Sequence, residues 1–269
     1  PTARPHVPFL AVCFDLDGTL VETELLKARA YARAAAELRP GVPEQDVVAA
    51  YEELVGQSRE HVVAALARRF GLDAPARERM TELGAATPEE AYGALRLRDY
   101  EAMLHDRALV KGQEYPAATA LLRRVNALGF RTGLATMSYG DQTATVLDIL
   151  GVRGLLDAVV TREEVEHPKP DPEIYLLLAR RLDVPPERCL AVEDSLPGVR
   201  SALAAGMACV AATTALTRAA IHAAGPALLP ADRVVDDPSR LADVVLPLLD
   251  GGGTSAGATA LPNEKASDG

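Results

Sequence analysis

The sequence predicts an α/β fold, a doubly wound, Rossmann-like parallel sheet with an inserted α-helical domain. Three observations lead there. Short apolar runs alternate with amphipathic helical patterns through most of the chain. Glycines stand where several of those helices should end. One long stretch between the first two runs keeps helical periodicity but holds no convincing strand.

The apolar runs are rich in Val, Ala, Leu and Thr and are bounded by turn chemistry, the pattern of buried parallel strands. They are residues 9–15 (FLAVCFD), 131–136 (RTGLAT), 156–161 (LDAVVT), 189–194 (CLAVED) and 208–214 (ACVAATT), with 233–236 (RVVD) a weaker sixth. Helical patterns fall at 116–129, 140–150, 172–183, 197–206, 215–224 and 239–249. Gly129, Gly151 and Gly206 sit at expected helix C-termini, where a left-handed residue closes the last turn. Such alternation is the mark of a sheet covered on both faces.

From Glu24 to about Leu109 the helical pattern is punctuated by Pro40-Gly41, Gly56, Gly71 and Gly84. About 85 residues is far too long for a strand-to-helix connection, so this stretch reads as a separate domain. The expected division is residues 1–24 and 110–250 for the α/β core and 25–109 for the helical insertion. Residues 251–269 are Gly/Ala/Ser-rich without a period and read as a disordered tail. The first eight residues, with three prolines, read as loose.

Composition excludes several classes of function. The 269 residues include 28 Lys and Arg against 38 Asp and Glu, a formal charge of −10. That lacks the basic footprint of a nucleic-acid binder. No basic amphipathic stretch suits a membrane surface, and no charge-free run suits a membrane span or a secretion signal. A soluble, cytoplasmic protein is expected. Cys13, Cys189 and Cys209 are odd in number and lie in apolar runs, so they read as buried thiols and not as a disulfide framework. The five histidines form no zinc-binding spacing.

The strongest chemical signal is FDLDGTL, residues 14–20. Asp15 and Asp17 stand two apart where an apolar strand ends, so both carboxylates should face one side. In an open α/β sheet the ligand site lies beyond the C-terminal strand ends. A polar turn would explain this motif taken alone. Three more strand ends add to it. Thr136-Met137-Ser138 precedes a helix, and hydroxyl and N–H groups there can cradle a phosphate or merely cap the helix. Glu193-Asp194-Ser195 brings two more acids beside the first pair; four carboxylates so close need a cation, and oxygen-only ligands favour Mg²⁺. In HPKPDP, residues 167–172, prolines flank Lys169 in a chain with only four lysines. A compact ammonium held in a stiff loop suits an anionic ligand.

These four elements, in this order, resemble the haloacid dehalogenase superfamily of phosphohydrolases. The resemblance runs from Phe9 to about Leu249 and is nearest to the branch with a helical cap, which includes β-phosphoglucomutase-like enzymes and phosphoglycolate-type phosphatases. It implies a Mg²⁺-dependent phosphatase of small phosphorylated metabolites, sugar phosphates first among them. Asp15 would be the nucleophile, forming an aspartyl-phosphate. Asp17 would be the general acid and base, with a raised pKa in the closed complex. Asp15, the carbonyl of Asp17 and Asp194 would hold Mg²⁺, with Glu193 a ligand or acting through water. Thr136 and the N–H of Met137 would bind phosphoryl oxygens, and Lys169 would neutralise charge. Lys169→Ala is expected to lower activity without unfolding the protein.

The segment GQSRE, residues 56–60, resembles the stretch with which β-phosphoglucomutase-like caps bind a distal phosphate or sugar, implicating Arg59. Where the mutases carry a histidine near the start of the cap, this chain has Lys27, which favours hydrolysis over mutase activity. Arg96 and Arg98, near the cap's end, are candidates to face the substrate. Hinges are expected near Val21–Glu24 and Leu109–Gly112. A sugar phosphomutase and a catalytically silent binding protein are the alternatives. The implied partner is a small phosphorylated metabolite, with no nucleic acid and no membrane, acting on a monomer or weak homodimer.

Overall fold

In the computed structural model, residues 9–55 and 58–250 are described. The expected loose N-terminus, the tail at 251–269, and Gly56 and Gln57 of the GQSRE segment lie outside them. Six strands form one parallel sheet in the order β3-β2-β1-β4-β5-β6. They are β1 (Ala11–Phe14), β2 (Arg131–Ala135), β3 (Ala158–Val160), β4 (Cys189–Glu193), β5 (Ala208–Ala212) and β6 (Val234–Val235). Every expected strand forms, each somewhat shorter than its apolar run. Of the polar residues closing the runs, Asp15, Thr136 and Asp194 lie just beyond the ladder, and Glu193 is the last residue of β4.

The sheet separates two apolar layers, as a period of two requires. Val12, Phe14, Leu134, Leu190, Val192 and Val210 face one cluster, completed by α7 (Pro116–Ala127), α8 (Gly140–Leu150) and α12 (Leu241–Leu249). Ala11, Cys13, Ala135, Ala191, Cys209 and Ala211 face the other, covered by α9 (Glu173–Leu182), α10 (Leu196–Ala204) and α11 (Arg218–Ala224). Small residues on this second face allow close approach: the side chain of Leu178 on α9 lies against Gly133 of β2, where a Cβ would meet it at 2.8 Å. All three cysteines are free and buried.

Between β1 and α7 the chain is helical: α1 (Glu24–Leu38), α2 (Glu44–Glu52), α3 (Arg59–Phe70), α4 (Asp73–Leu83), α5 (Pro88–Leu104) and α6 (Arg107–Lys111). Gly71 and Gly84 close α3 and α4 in the left-handed conformation. This cap has an apolar cluster of its own, around Tyr31, Tyr51, Leu66, Leu72, Tyr92 and Leu95. Its base shares the core of the sheet through Leu26, Ala30, Tyr100, Met103 and Leu104.

The two segments joining cap and core run side by side. Val21 forms an antiparallel bridge with Glu114, Glu22 N–H donates to the Gln113 carbonyl at 2.8 Å, and Tyr115 N–H donates to the Leu20 carbonyl at 2.9 Å. Just before the second segment, Arg107–Lys111 forms a helical turn capped by Asp106. No helix among the described residues is long and apolar enough to cross a membrane.

Candidate active site

β1 is central, with parallel β2 on one side and parallel β4 on the other, and the chain adds later strands outward on opposite sides of it. That reversal opens a crevice beyond the C-terminal strand ends. Phe14 is in register with Leu134 and Val192, so the residues that follow each strand emerge together. Asp15 and Asp17 follow β1, Thr136 and Ser138 follow β2, Glu193 ends β4 and Asp194 follows it. Gly18, at φ +88°, turns the chain away and leaves room beside it: a Cβ there would lie 2.3 Å from the Asp194 carboxylate. A cleft of about 490 Å³ above these ends is lined by core and cap residues together.

Lys169 reaches this point from the loop before α9. Its side chain is 5% exposed. Its ammonium donates to Asp15 Oδ1 and to Glu193 Oε1, both at 2.6 Å, and to the Ala135 carbonyl at 3.0 Å. Pro168 and Pro170 flank it, the Lys169–Pro170 bond being cis. The Glu173 carboxylate closes the loop, accepting from the N–H groups of Glu166 at 3.0 Å and His167 at 2.8 Å. Beneath the site, buried Tyr175 donates to Glu193 Oε1 at 2.7 Å, and its ring lies 5.2 Å from the ammonium.

Asp15, Glu193 and Asp194 bring buried carboxylate oxygens within 4.8 Å of one another. Burial pushes Asp15 up to about 8, with Glu193 and Asp17 adding to the rise and Lys169 opposing it. Asp194 is pushed well up by burial and then by Asp15 and Glu193. One ammonium does not balance three carboxylates. The donor set is all oxygen, compact and over-negative, which fits a hard divalent cation.

Asp17 takes a different set of partners. Thr23 and Ser138 donate to its carboxylate, Ser138 at 2.7 Å, with Thr136 at 3.2 Å and the Lys27 ammonium at 3.1 Å. Burial alone would raise this acid, but Lys27 and the hydroxyls of Thr23 and Ser138 outweigh it and hold Asp17 near 2. This is the reverse of the neutral acid expected in a substrate complex. The two aspartates line one cleft yet are held by different lysines. Lys27 also donates to Glu24 at 2.7 Å, and Tyr51 donates to the same carboxylate at 2.5 Å.

Thr136 sits at the strand end as expected, its hydroxyl accepting from Ser138 N–H at 3.0 Å. Met137 lines the cleft. Arg59 is the first residue of α3, and its guanidinium stacks on Tyr139 of the core at 4.9 Å, so it reaches across from cap to core. Arg96 and Arg98 separate. Arg96 is buried and lines the cleft, whereas Arg98 pairs with Glu37 and Asp99 on the surface. Sequence reasoning missed Thr23 and Tyr175, which carry no local signal; Ser138 was named in the strand-end group after β2 but given no role of its own.

A family model described as haloacid dehalogenase-like hydrolase matches residues 9–206. The chain belongs to the haloacid dehalogenase-like hydrolase family. Protein CbbY of Cereibacter sphaeroides is 33% identical over 218 residues, covering 77% of this chain and 86% of that protein. Validoxylamine A 7'-phosphate phosphatase of Streptomyces hygroscopicus subsp. limoneus is 32% identical over 201 residues, covering 75% and 84%. The crystal structure of CbbY from Rhodobacter sphaeroides in complex with phosphate superposes with a TM-score of 0.63 at 27% identity, covering 87% of this chain and 96% of that one. The match to Suppressor of Quenching 1 of Arabidopsis thaliana, a chloroplastic protein, is 29% identical over 228 residues, 81% of this chain, and spans only 19% of that longer protein. The motifs singled out from the sequence converge here on the crevice beside β1.

Proposed function

We propose that this family member is a Mg²⁺-dependent phosphatase of small phosphorylated metabolites, with sugar phosphates the first class to test, working through an aspartyl-phosphate. One observation carries the reading: the Lys169 ammonium joins Asp15 to Glu193 at the mouth of the central strand, beside Asp194. The relatives named for phosphatase activity, and CbbY crystallised with phosphate, support it. In this reading residues 1–24 and 110–250 are the catalytic core and 25–109 the cap.

Asp15, the main-chain carbonyl of Asp17 and Asp194 would hold Mg²⁺, with Glu193 a ligand or acting through water. Bound there, the ion would offset the charge of a carboxylate meeting a phosphate. An Asp15 carboxylate oxygen attacks phosphorus as the ester P–O bond breaks. Asp17 gives its proton to the departing alkoxide and then takes one from the water that cleaves the acyl phosphate. Lys169, Thr136 and the N–H of Met137 stabilise the phosphoryl oxygens. Asp17 can donate only when neutral, whereas Lys27 and Thr23 favour its anion. Turnover therefore requires the substrate complex to replace those contacts.

Arg59 at the cleft also suits a mutase, which must hold a phosphorylated sugar by both ends; Lys27 in place of the mutase histidine weighs against it. Keeping every polar position of the motifs weighs against a silent protein. A screen of phosphorylated metabolites for phosphate release, with and without EDTA and with Asp15→Asn, tests the reading. Release that is abolished by both, together with a beryllium fluoride or phosphoryl adduct mapped to Asp15, is expected. Normal turnover by Asp15→Asn would overturn it.

A further inference from the structure

We propose that Glu173 is a positioning residue: its carboxylate clamps the main chain of the Lys169 loop and so places the ammonium against Asp15 and Glu193. That the clamp serves turnover rests on the phosphatase reading above; the clamp itself stands on the following geometry.

The loop from Glu166 to Pro172 is poorly equipped to hold itself. Pro168, Pro170 and Pro172 have no N–H to donate. Ahead of Lys169, the N–H groups of Glu166 and His167 both go to Glu173, one to each carboxylate oxygen, at 3.0 Å on Oε1 and 2.8 Å on Oε2. His167 Nδ1 lies 3.0 Å from the same Oε2. The N–H groups of His167 and Glu166 hold the Glu173 carboxyl below its ordinary range. Behind Lys169, Asp171 N–H donates to the Pro168 carbonyl at 3.0 Å, and Ser201 of α10 donates to the Asp171 carbonyl at 2.6 Å. The lysine therefore rides on a short arc pinned at both ends.

Glu173 lies outside the cleft, so its influence passes through the loop. An acid that merely began α9 would favour the helix's own free N–H groups; here both oxygens turn back to the loop. Two residues on, Tyr175 donates to Glu193 Oε1 at 2.7 Å. The first turn of α9 thus fixes the base of the Lys169 side chain and also the carboxylate that its tip meets. Two N–H groups need two acceptors. A glutamine offers one oxygen and sets an NH₂ group against the other N–H, which makes it a selective and nearly isosteric disruption.

The test uses full-length protein labelled with carbon-13 lysine, in EDTA. The chain has four lysines, so the spectrum is sparse. The two ε-protons of a side chain locked in place give separate shifts and merge when it moves freely. Lys169 is identified by the loss of its signals in Lys169→Met, or in Lys169→Arg if the first variant does not fold. Glu173→Gln should narrow the Lys169 separation and Glu173→Ala abolish it. Lys27, held by Asp17 and Glu24, is the internal reference and should not change. In Mg²⁺, Glu173→Gln should lower kcat/KM for p-nitrophenyl phosphate at least about tenfold, because a group misplaced by ~1 Å can cost ~10²-fold. Added to the Lys169 variant it should cost no more than about twofold further.

An unchanged Lys169 separation in Glu173→Ala would overturn the proposal. So would equal changes at Lys169 and Lys27, the mark of general loosening, or a changed separation with turnover intact. A loss of activity that recurs in full on the Lys169 variant would overturn it as well. Phosphate release by the wild type from phosphorylated metabolites reads the phosphatase function separately. No release, with the Lys169 change present, would sink that function and leave the clamp; release without the Lys169 change would do the opposite.

Discussion

The Glu193 carboxylate occupies the space where a side chain at position 198 would begin. A Cβ on Gly198 would stand 2.0 Å from Oε2 and 2.2 Å from Oε1 of Glu193. The acid that seats Lys169 is thus packed against bare backbone at the start of α10. Gly198→Ala must displace either the helix or the acid. Overpacking of this kind costs about 1–3 kcal/mol, which lowers Tm by roughly 3–10 °C in a chain of this size. Thermal denaturation checks it. Gly154→Ala, where nothing lies within 4 Å, should stay within about 2 °C of the wild type.

Lys169 is placed so that its loss should bear on the fold as well as on the proposed chemistry. Its ammonium is enclosed by Asp15, Glu193 and the Ala135 carbonyl. Lys169→Met leaves two buried carboxylates facing each other, a loss of about 3–5 kcal/mol before protonation relieves part of it. The expected results are a Tm several degrees lower in metal-free buffer and a kcat/KM for p-nitrophenyl phosphate reduced at least about 10²-fold. An unchanged Tm would show that the three contacts contribute nothing to the fold.

Asp15 gives the metal-free protein a characteristic pH dependence. Its folded pKa, near 8, lies above its unfolded value, so between roughly pH 4 and 8 the folded state holds a proton that the unfolded state has released. Stability from this group therefore falls as pH rises through that window. In EDTA, the Tm of Asp15→Asn minus that of the wild type should grow from pH 5 to pH 8.5. A difference that is flat with pH would contradict the elevated acid. Mg²⁺ competes with the same protons, so its stabilisation of the wild type should be larger at pH 8 than at pH 5.5.

Asp17 behaves in the opposite way, because Lys27 and two hydroxyls favour its anion. Lys27→Met removes the positive charge, and the carboxyl should then titrate at higher pH in a carbon-13 NMR titration. No movement would mean that the hydroxyls alone hold it down. On activity, Asp17→Asn should impair glycerol 2-phosphate far more than p-nitrophenyl phosphate, whose leaving group needs no proton. Equal losses would remove the acid role.

The sheet was legible because its strands are buried on both faces and read as unbroken apolar runs. The motif residues at their ends were legible because polar side chains interrupt those runs abruptly, as Asp15 and Glu193 do. Partners supplied from elsewhere in the fold were not. Thr23 meets Asp17 only because the chain doubles back at Gly18, and Tyr175 meets Glu193 only because α9 packs beneath the sheet. Arg96 and Arg98 are equivalent in a linear reading; the turn of α5 alone puts one in the cleft and the other on the surface. The short helix Arg107–Lys111 was not legible either, because its start is set by the Asp106 side chain and apolar periodicity does not reveal it.

The three free thiols bear on how this enzyme can be handled. Cys13, Cys189 and Cys209 all lie in the sheet layer with no side chain open to solvent. A maleimide or iodoacetamide should therefore leave the native molecule untouched and modify it only upon global opening. Fluorophores could then be attached through a single cysteine introduced on the cap surface, without first deleting the natural ones.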